Sequence, residues 1–278
     1  MILCHFIGKK TFFFLSMTSL LLAARPVHSD TAYHVTDVMC ASERPDYKKE
    51  SLIIENIGND GAIITKKFAL YEKNSDGLRN IAAEEVTQTG KTGAKILALE
   101  KSPSKTEITV NEPGMKSPKK LSSSDMKKSA FGTTFLFNLL KKQSPDDDNH
   151  EMISEKEKIN INSKSYSCWK IKSVPISKTV VDYSYRITWI EKETHLPVLI
   201  QFYSESKKTG TVLLRTFRIE ELGSVTSTTG KSYDVWKRCS MKDETSGNIT
   251  KIHADDFLFG NFIPESIFTS SWIGNKNN

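Results

Sequence analysis

The 278 residues carry 39 Lys and Arg against 33 Asp and Glu, a formal charge of +6, and 38% of them are hydrophobic. That apolar share is too high for a disordered chain. The basic excess is too small for a nucleic-acid-binding protein, which needs a strongly positive surface.

The chain opens with Lys9 and Lys10 followed by the apolar run TFFFLSMTSLLLAA at 11–24. A run of this length behind a positive start is the pattern of a secretory leader, and it is too short to span a bilayer. Cleavage after Ala24 or after Ser29 satisfies the small-residue rule; Pro26 crowds the first site, so the leader is taken as residues 1–29. It holds Lys9, Lys10 and Arg25 and no acid, so its removal lowers the formal charge by three. Cys4 precedes the apolar run and so cannot be the acylated cysteine of a bacterial lipoprotein. These features place residues 30–278 in the periplasm as one exported domain, with no further stretch apolar enough to cross a membrane.

Along that domain, residues 31–42 predict a short helix with Val35, Val38 and Met39 on one side, ended before Arg44-Pro45 because a residue preceding proline disfavours helix. From Ser51 the pattern changes to short β-rich runs at 51–57, 62–71, 94–99 and 107–110, separated by Gly, Asn, Asp, Ser or Pro. Residues 113–130 are rich in Pro, Ser and Lys and read as an exposed basic connection, with attraction to anionic lipid head groups or an acidic partner as its functional reading. Thr133 then caps a predicted helix over 133–142, with Leu136, Leu139 and Leu140 on one face and Lys141 and Lys142 at the end that favours cations. Asp146 to Asp148 with His150 imitate a metal cluster, but consecutive carboxylates on a loop diverge. From Ser163 the chain reads as hairpins. Val181, Tyr183, Tyr185, Ile187 and Trp189 alternate with polar residues, and strands at 198–203, 212–219, 233–241 and 249–257 follow. Five successive strands with local turns form an antiparallel meander that must curl, giving a concave face.

The chemistry-bearing motifs are absent. There is no Gly-x-Ser-x-Gly, His-Glu-x-x-His or Cys-x-x-Cys, and neither Gly230-Lys231-Ser232 nor Gly90-Lys91-Thr92 has its upstream glycine at the spacing a phosphate loop requires. The histidines are scattered. Cys40, Cys168 and Cys239 form either one bridge with a spare thiol or three buried thiols. Asn248-Ile249-Thr250 has the form of a glycan acceptor, which matters only in a eukaryotic secretory path. The expectation is a protein that is not an enzyme and uses no cofactor and no metal.

Three stretches resemble the outer-membrane lipoprotein-sorting (LolA/LolB-like) family: Phe131-Gly132-Thr133-Thr134-Phe135, the run WIEKETHLP at 189–197, and Ile263-Pro264-Glu265-Ser266-Ile267-Phe268-Thr269. The likeness is best over 118–273 and looser before it; Thr134, Leu136 and Leu139 depart from the family's usual Asp, Ser and Asp. The resemblance implies an incomplete antiparallel β-barrel whose apolar concave face is covered by helices. It implies lipid or lipidated protein as cargo, and an inner-membrane transporter or outer-membrane acceptor as partner. Phe135, Phe137, Leu140, Tyr185, Ile187, Trp189, Phe202 and Phe217 are the candidates for lining such a cavity. The alternative is an envelope sensor or assembly module that binds a protein partner through an exposed strand edge.

Overall fold

The computed structural model describes residues 30–87, 93–102, 105–208 and 210–275; the expected leader and Gly90-Lys91-Thr92 lie outside the described residues. After helix α1 (Asp30–Cys40) come six strands: β1 (Tyr47–Ile57), β2 (Ile63–Ser75), β3 (Leu78–Glu85), β4 (Lys95–Ser102), β5 (Lys105–Asn111) and the two-residue β6 (Lys119–Lys120). Seven more follow residues 121–147: β7 (Asp148–Ile161), β8 (Lys164–Pro175), β9 (Tyr185–Glu191), β10 (Pro197–Ser206), β11 (Gly210–Thr226), β12 (Ser232–Asp243) and β13 (Ile249–Phe259). A short helix, α2 (Ser270–Gly274), comes last.

All thirteen strands belong to one antiparallel sheet in the order β6-β5-β4-β3-β2-β1-β13-β12-β11-β10-β9-β8-β7. It consists of two meanders seamed where β1 pairs with β13, and its ends are β6 and β7, so the barrel is incomplete. The curl has local causes: bulges between Lys49 and Ser51, Phe202 and Tyr203, and Ile219 and Glu221 each bend their strand and sharpen its twist. Strands β3, β6 and β7 were not anticipated from the sequence, β8 falls in the run of hairpins expected from Ser163 without being among its five delimited strands, and β9 begins at Tyr185, leaving Val181 and Tyr183 in the preceding loop.

Residues 121–147 must travel from one edge of the sheet to the other, and they do so through the hollow. There the expected helix over 133–142 is replaced by a small hairpin. Ser129 bridges Leu136, the Ala130 amide donates to the Phe135 carbonyl at 2.8 Å and the Phe137 amide to the Lys128 carbonyl at 3.1 Å. The tip sits in left-handed backbone at Phe131 (φ 52°) and Gly132 (φ 77°), the second of which costs nothing without a Cβ. Thr133 does not cap a helix; its hydroxyl donates to the Ala130 carbonyl inside the hairpin. Within the expected helix only Phe137–Leu140 makes a 3-10 turn, and Asp125–Lys127 and Pro145–Asp147 make two others in the crossing segment. Lys141 and Lys142 reach Asp147 and the Gly77 carbonyl. The 113–130 connection is also more than solvated loop, since it contributes β6 and buries Asp125 and Met126.

Helix α1 forms as expected and lays Ala32 and Val35 on Ile171 of β8 and Ile190 of β9. Beyond β13 the chain returns to β3 and β4, packing Ile263, Phe268 and Ile273 on Ala82 and Leu97, on the side away from the hollow. The Asn111 amide donates to the Ile273 carbonyl at 2.9 Å and pins this segment. Cys40, Cys168 and Cys239 are free thiols. Burial pushes them up, to about 11 for Cys40 and about 12 for Cys168 and Cys239, so each is a neutral side chain at physiological pH.

Candidate functional site

The curled sheet encloses a hollow on the face the hairpin crosses. Its inner part has a volume of about 280 Å³ and is walled by Leu52 and Ile54 of β1, Phe68 and Leu70 of β2, Ile81 and Ala83 of β3, with Ile96 beyond. The opposite wall comes from Ile200 and Phe202 of β10, Phe217 of β11, Trp236 and Met241 of β12 and Ile252 of β13. Side chains alternate along a strand, so residues two apart, such as 52 and 54 or 68 and 70, enter the same space. The roof is the crossing segment itself, through Phe131, Phe135, Leu136, Leu139 and Leu140. Thr133 and Gln143 are the polar side chains among the lining residues, so this part of the hollow is dry in character.

An outer compartment of about 470 Å³ continues from it, sharing Leu52, Leu70, Phe135, Leu140, Phe217 and Trp236. Its lining changes to charged groups: Arg44, Lys48, Glu50, Glu72, Arg79 and Arg186. These are paired. Arg44 meets Glu72 at 3.4 Å, Lys48 meets Glu50 at 3.0 Å, and Arg186 donates to the buried Asp148 at 2.7 Å. Burial pushes the Glu72 carboxyl up, but Lys48, Arg79, Arg44 and the Asn74 amide outweigh it and hold the group below its ordinary range. Burial also lowers Arg79, whose guanidinium donates to the Leu140 carbonyl at 2.9 Å and so ties β3 to the roof. The hollow is therefore polarised, greasy inside and ionic at its mouth.

The roof is fastened on its far side by Thr134. Its hydroxyl donates to the Met241 carbonyl at 2.8 Å, and its amide donates to the Thr250 hydroxyl, also at 2.8 Å. The Thr250 hydroxyl, on a residue 1% exposed, donates in turn to the Asn56 amide oxygen of β1 at 2.8 Å. One short chain of hydrogen bonds thus joins the crossing segment to β12, β13 and β1.

Of the eight side chains picked from the sequence, Phe135, Leu140, Phe202 and Phe217 meet in the hollow. The other four do not. Phe137 is buried with Phe68 and Phe131 in the core under β2 to β5, where its ring stands edge-on to Phe131. Tyr185, Ile187 and Trp189 point to the other side of the sheet. The register decides this: Thr188 lies opposite Ile200 and Arg186 opposite Phe202, and the β10 pair lines the hollow, so the odd-numbered residues of β9 face away. Tyr185 stacks on Tyr203 with centroids 4.9 Å apart, and the Lys170 ammonium sits 4.9 Å over Trp189. The walls from β1, β2 and β3 were missed as site residues, although the alternation of Leu52 with Ile54 and Phe68 with Leu70 carries the needed signal.

The three consecutive acidic residues that lead into β7, whose first residue is Asp148, diverge: Asp146 accepts from the Tyr33 hydroxyl at 2.8 Å, Asp147 pairs with Lys141 and Asp148 with Arg186. Among the described residues no group of three or more His, Cys, Asp or Glu is placed to hold a metal ion. No helix among them is long and apolar enough to cross a membrane.

A family model described as "Uncharacterized protein" matches residues 83–275, from the end of β3 through α2. The chain belongs to this family. No curated protein matches its sequence. Among solved structures, a domain assigned to an outer membrane lipoprotein-sorting protein of Vibrio parahaemolyticus superposes with a TM-score of 0.73 at 15% identity, covering 87% of this chain and 98% of its own. A DUF1329 family protein from Desulfovibrio piger gives 0.73 at 14% identity, with 87% and 98% covered. A LolA superfamily protein from Nitrosomonas europaea gives 0.59 at 18%, with 88% and 99% covered. At these identities the likeness establishes the fold: this member of the family is a LolA-like half-barrel over nearly its whole described length.

Proposed function

We propose that this protein is an exported periplasmic carrier or binder of acyl chains, taking lipid or the lipid part of a lipoprotein into its hollow without performing chemistry on it. The observation that carries the reading is the polarised hollow: an apolar chamber under a hydrogen-bonded roof, opening into a mouth of paired charges. Burial of an acyl chain contributes about 0.8 kcal/mol per methylene, so a long chain gains on the order of ten kcal/mol before losses. An amphiphile suits both compartments at once, with its tail among Phe68, Ile81 and Phe217 and its head among Arg44, Glu72 and Arg79. The likeness to lipoprotein-sorting and LolA superfamily structures supports the same reading. On it, cleavage of residues 1–29 precedes folding, and a membrane transporter or an outer-membrane acceptor supplies or receives the cargo.

The test is to purify the protein from bacterial periplasm, extract it and identify bound lipids by mass spectrometry, then titrate the stripped protein with a fluorescent fatty acid. Ala83→Phe fills the inner chamber from β3 and should weaken probe binding tenfold or more while circular dichroism and melting show a folded protein. Lipid-free protein that ignores the probe, or an A83F variant that folds and binds as well as the parent, overturns the proposal.

A further inference from the structure

The lysines around β6 form a patch that the lipid-binding hollow does not use. We propose that this patch is a docking surface for the anionic phospholipid face of a membrane. Lys119 and Lys120 make up β6 on the outer edge of the sheet, and their side chains are 53% and 62% exposed. Lys120 and Lys105 both meet the Glu107 carboxylate, at 2.7 and 3.8 Å, and Lys119 and Lys128 both meet Asp125, at 3.1 and 2.7 Å. The shared acids gather the lysines into two sets at this edge, Lys105 and Lys120 about Glu107 of β5 and Lys119 and Lys128 about Asp125 of the crossing segment; because Lys119 lies opposite Val110 and Lys120 opposite Thr109, the two sets flank the edge on its two faces. Lys101, Lys116 and Lys127 are exposed on the same stretch of chain. Seven lysines face three acids, Glu107, Glu112 and Asp125, and Asp125 is itself buried. The outward surface is strongly positive.

Edge protection explains part of this, since lysines on an edge strand discourage another strand from pairing there. It accounts for Lys119 and Lys120 alone; Lys101, Lys116 and Lys127 lie outside β6 and guard no strand edge of their own length. The chemistry of the patch points to a planar array of phosphates more than to a folded partner. Residues 101–128 contain lysine and no arginine or aromatic residue, so the stretch offers mobile point charges without the rigid forks that read a particular carboxylate or the rings that anchor a protein. Juxtamembrane lysines act this way, each adding a small and salt-sensitive attraction. Position gives the surface its use. Lys128 is two residues from Ala130, which lines the hollow, and its carbonyl accepts the Phe137 amide that closes the roof hairpin. Docking here sets the roof of the hollow against the lipid surface.

The experiment is sedimentation of the protein recovered from periplasm with vesicles of phosphatidylglycerol and phosphatidylcholine in equal parts, and with phosphatidylcholine alone. Binding is expected to the anionic vesicles only and to fall as salt is raised. A variant with Lys101, Lys105, Lys116 and Lys127 each changed to Gln spares the lysines that neutralise Asp125, so its fold is not at stake. At about fivefold per lysine it should lose at least a hundredfold in vesicle affinity. Changing Lys156, Lys178, Lys207 and Lys208 to Gln removes as much charge elsewhere and should leave affinity within a fewfold. Equal losses in both variants, no binding to anionic vesicles, or binding transferred to an acidic polypeptide alone would overturn the proposal. The A83F variant separates the two readings: it should bind vesicles normally whether or not the hollow takes acyl chains.

Discussion

At the residue scale, the mouth of the hollow shows how charges are kept where water is scarce. Glu72 is 5% exposed and survives as a carboxylate because Lys48, Arg79 and Arg44 surround it and the Asn74 amide donates to it at 3.0 Å. A carboxyl held below its ordinary 4.5 in the folded state contributes stability that is fully present above that value and lost as pH falls beneath it. The melting temperature should therefore drop more steeply below pH 4.5 in the parent than in Glu72→Gln, which has no proton to gain. Equal acid limbs in the two proteins would show that the cluster of cations does not hold this carboxyl down. The residue scale also marks a limit of the sequence. Tyr185, Ile187 and Trp189 alternate with Arg186 and Thr188, and the natural assumption is that such an apolar face looks inward. Here the inward positions are Arg186 and Thr188, because Asp148 neutralises the arginine at 2.7 Å, while the aromatic face is covered by lysine stems and the cluster of Ile161, Tyr166 and Leu199. Nothing local to β9 reveals partners that lie 38 residues away.

At the element scale, the crossing segment decides whether the hollow is open. It carries apolar residues at helical spacing because it touches two walls at once, Phe137 and Met126 on one side and Phe135 and Leu139 on the other. A segment squeezed between two greasy surfaces shows the same apolar density as an amphipathic helix, and only the tip at Phe131 and Gly132 hints at a turn. Strand β7 was illegible for the opposite reason: as an edge strand with residues such as Glu151, Glu155 and Lys156 turned to solvent, it lacks an apolar row. Strands β1, β2, β4, β5 and β10 to β13 were readable as β-rich runs between turn residues, whereas β3, with Arg79, Asn80, Glu84 and Glu85 among its eight residues, was not, although it is flanked on both sides. Since Thr134 and Thr250 fasten the roof, their removal has a graded cost. Thr134→Val loses one bond to a carbonyl and should destabilise by about 1 kcal/mol. Thr250→Val strands the Thr134 amide and the Asn56 side chain together, each worth about 1–3 kcal/mol, and should cost clearly more. Chemical denaturation of both variants checks the order, and reversal of it would mean the roof is held by packing alone.

At the scale of the whole molecule, the seam between β1 and β13 makes the two meanders one sheet. It pairs residues such as Leu52 and Ala254 from opposite ends of the chain, so it is a late and entropically costly contact, and folding should be slow. The C-terminal segment adds a second long closure: Trp272 lies against β4, with the Lys95 ammonium 4.9 Å over its ring. A variant keeping Trp272 as its sole tryptophan would report on the first meander, while far-ultraviolet circular dichroism reports on all thirteen strands. The two denaturation midpoints should coincide, because neither meander is closed without the other. Separate midpoints would divide the sheet at its seam.

The fastening of the roof gives this protein a clock that needs no label. The Thr134 amide proton is committed to the Thr250 oxygen, which is itself sealed from solvent. It can trade for deuterium only while the roof is lifted. Uptake at that single peptide position, followed by nuclear magnetic resonance, counts how often the empty protein opens per unit time, and added fatty acid should change that frequency at Thr134 before it changes the exchange of β12 or β13.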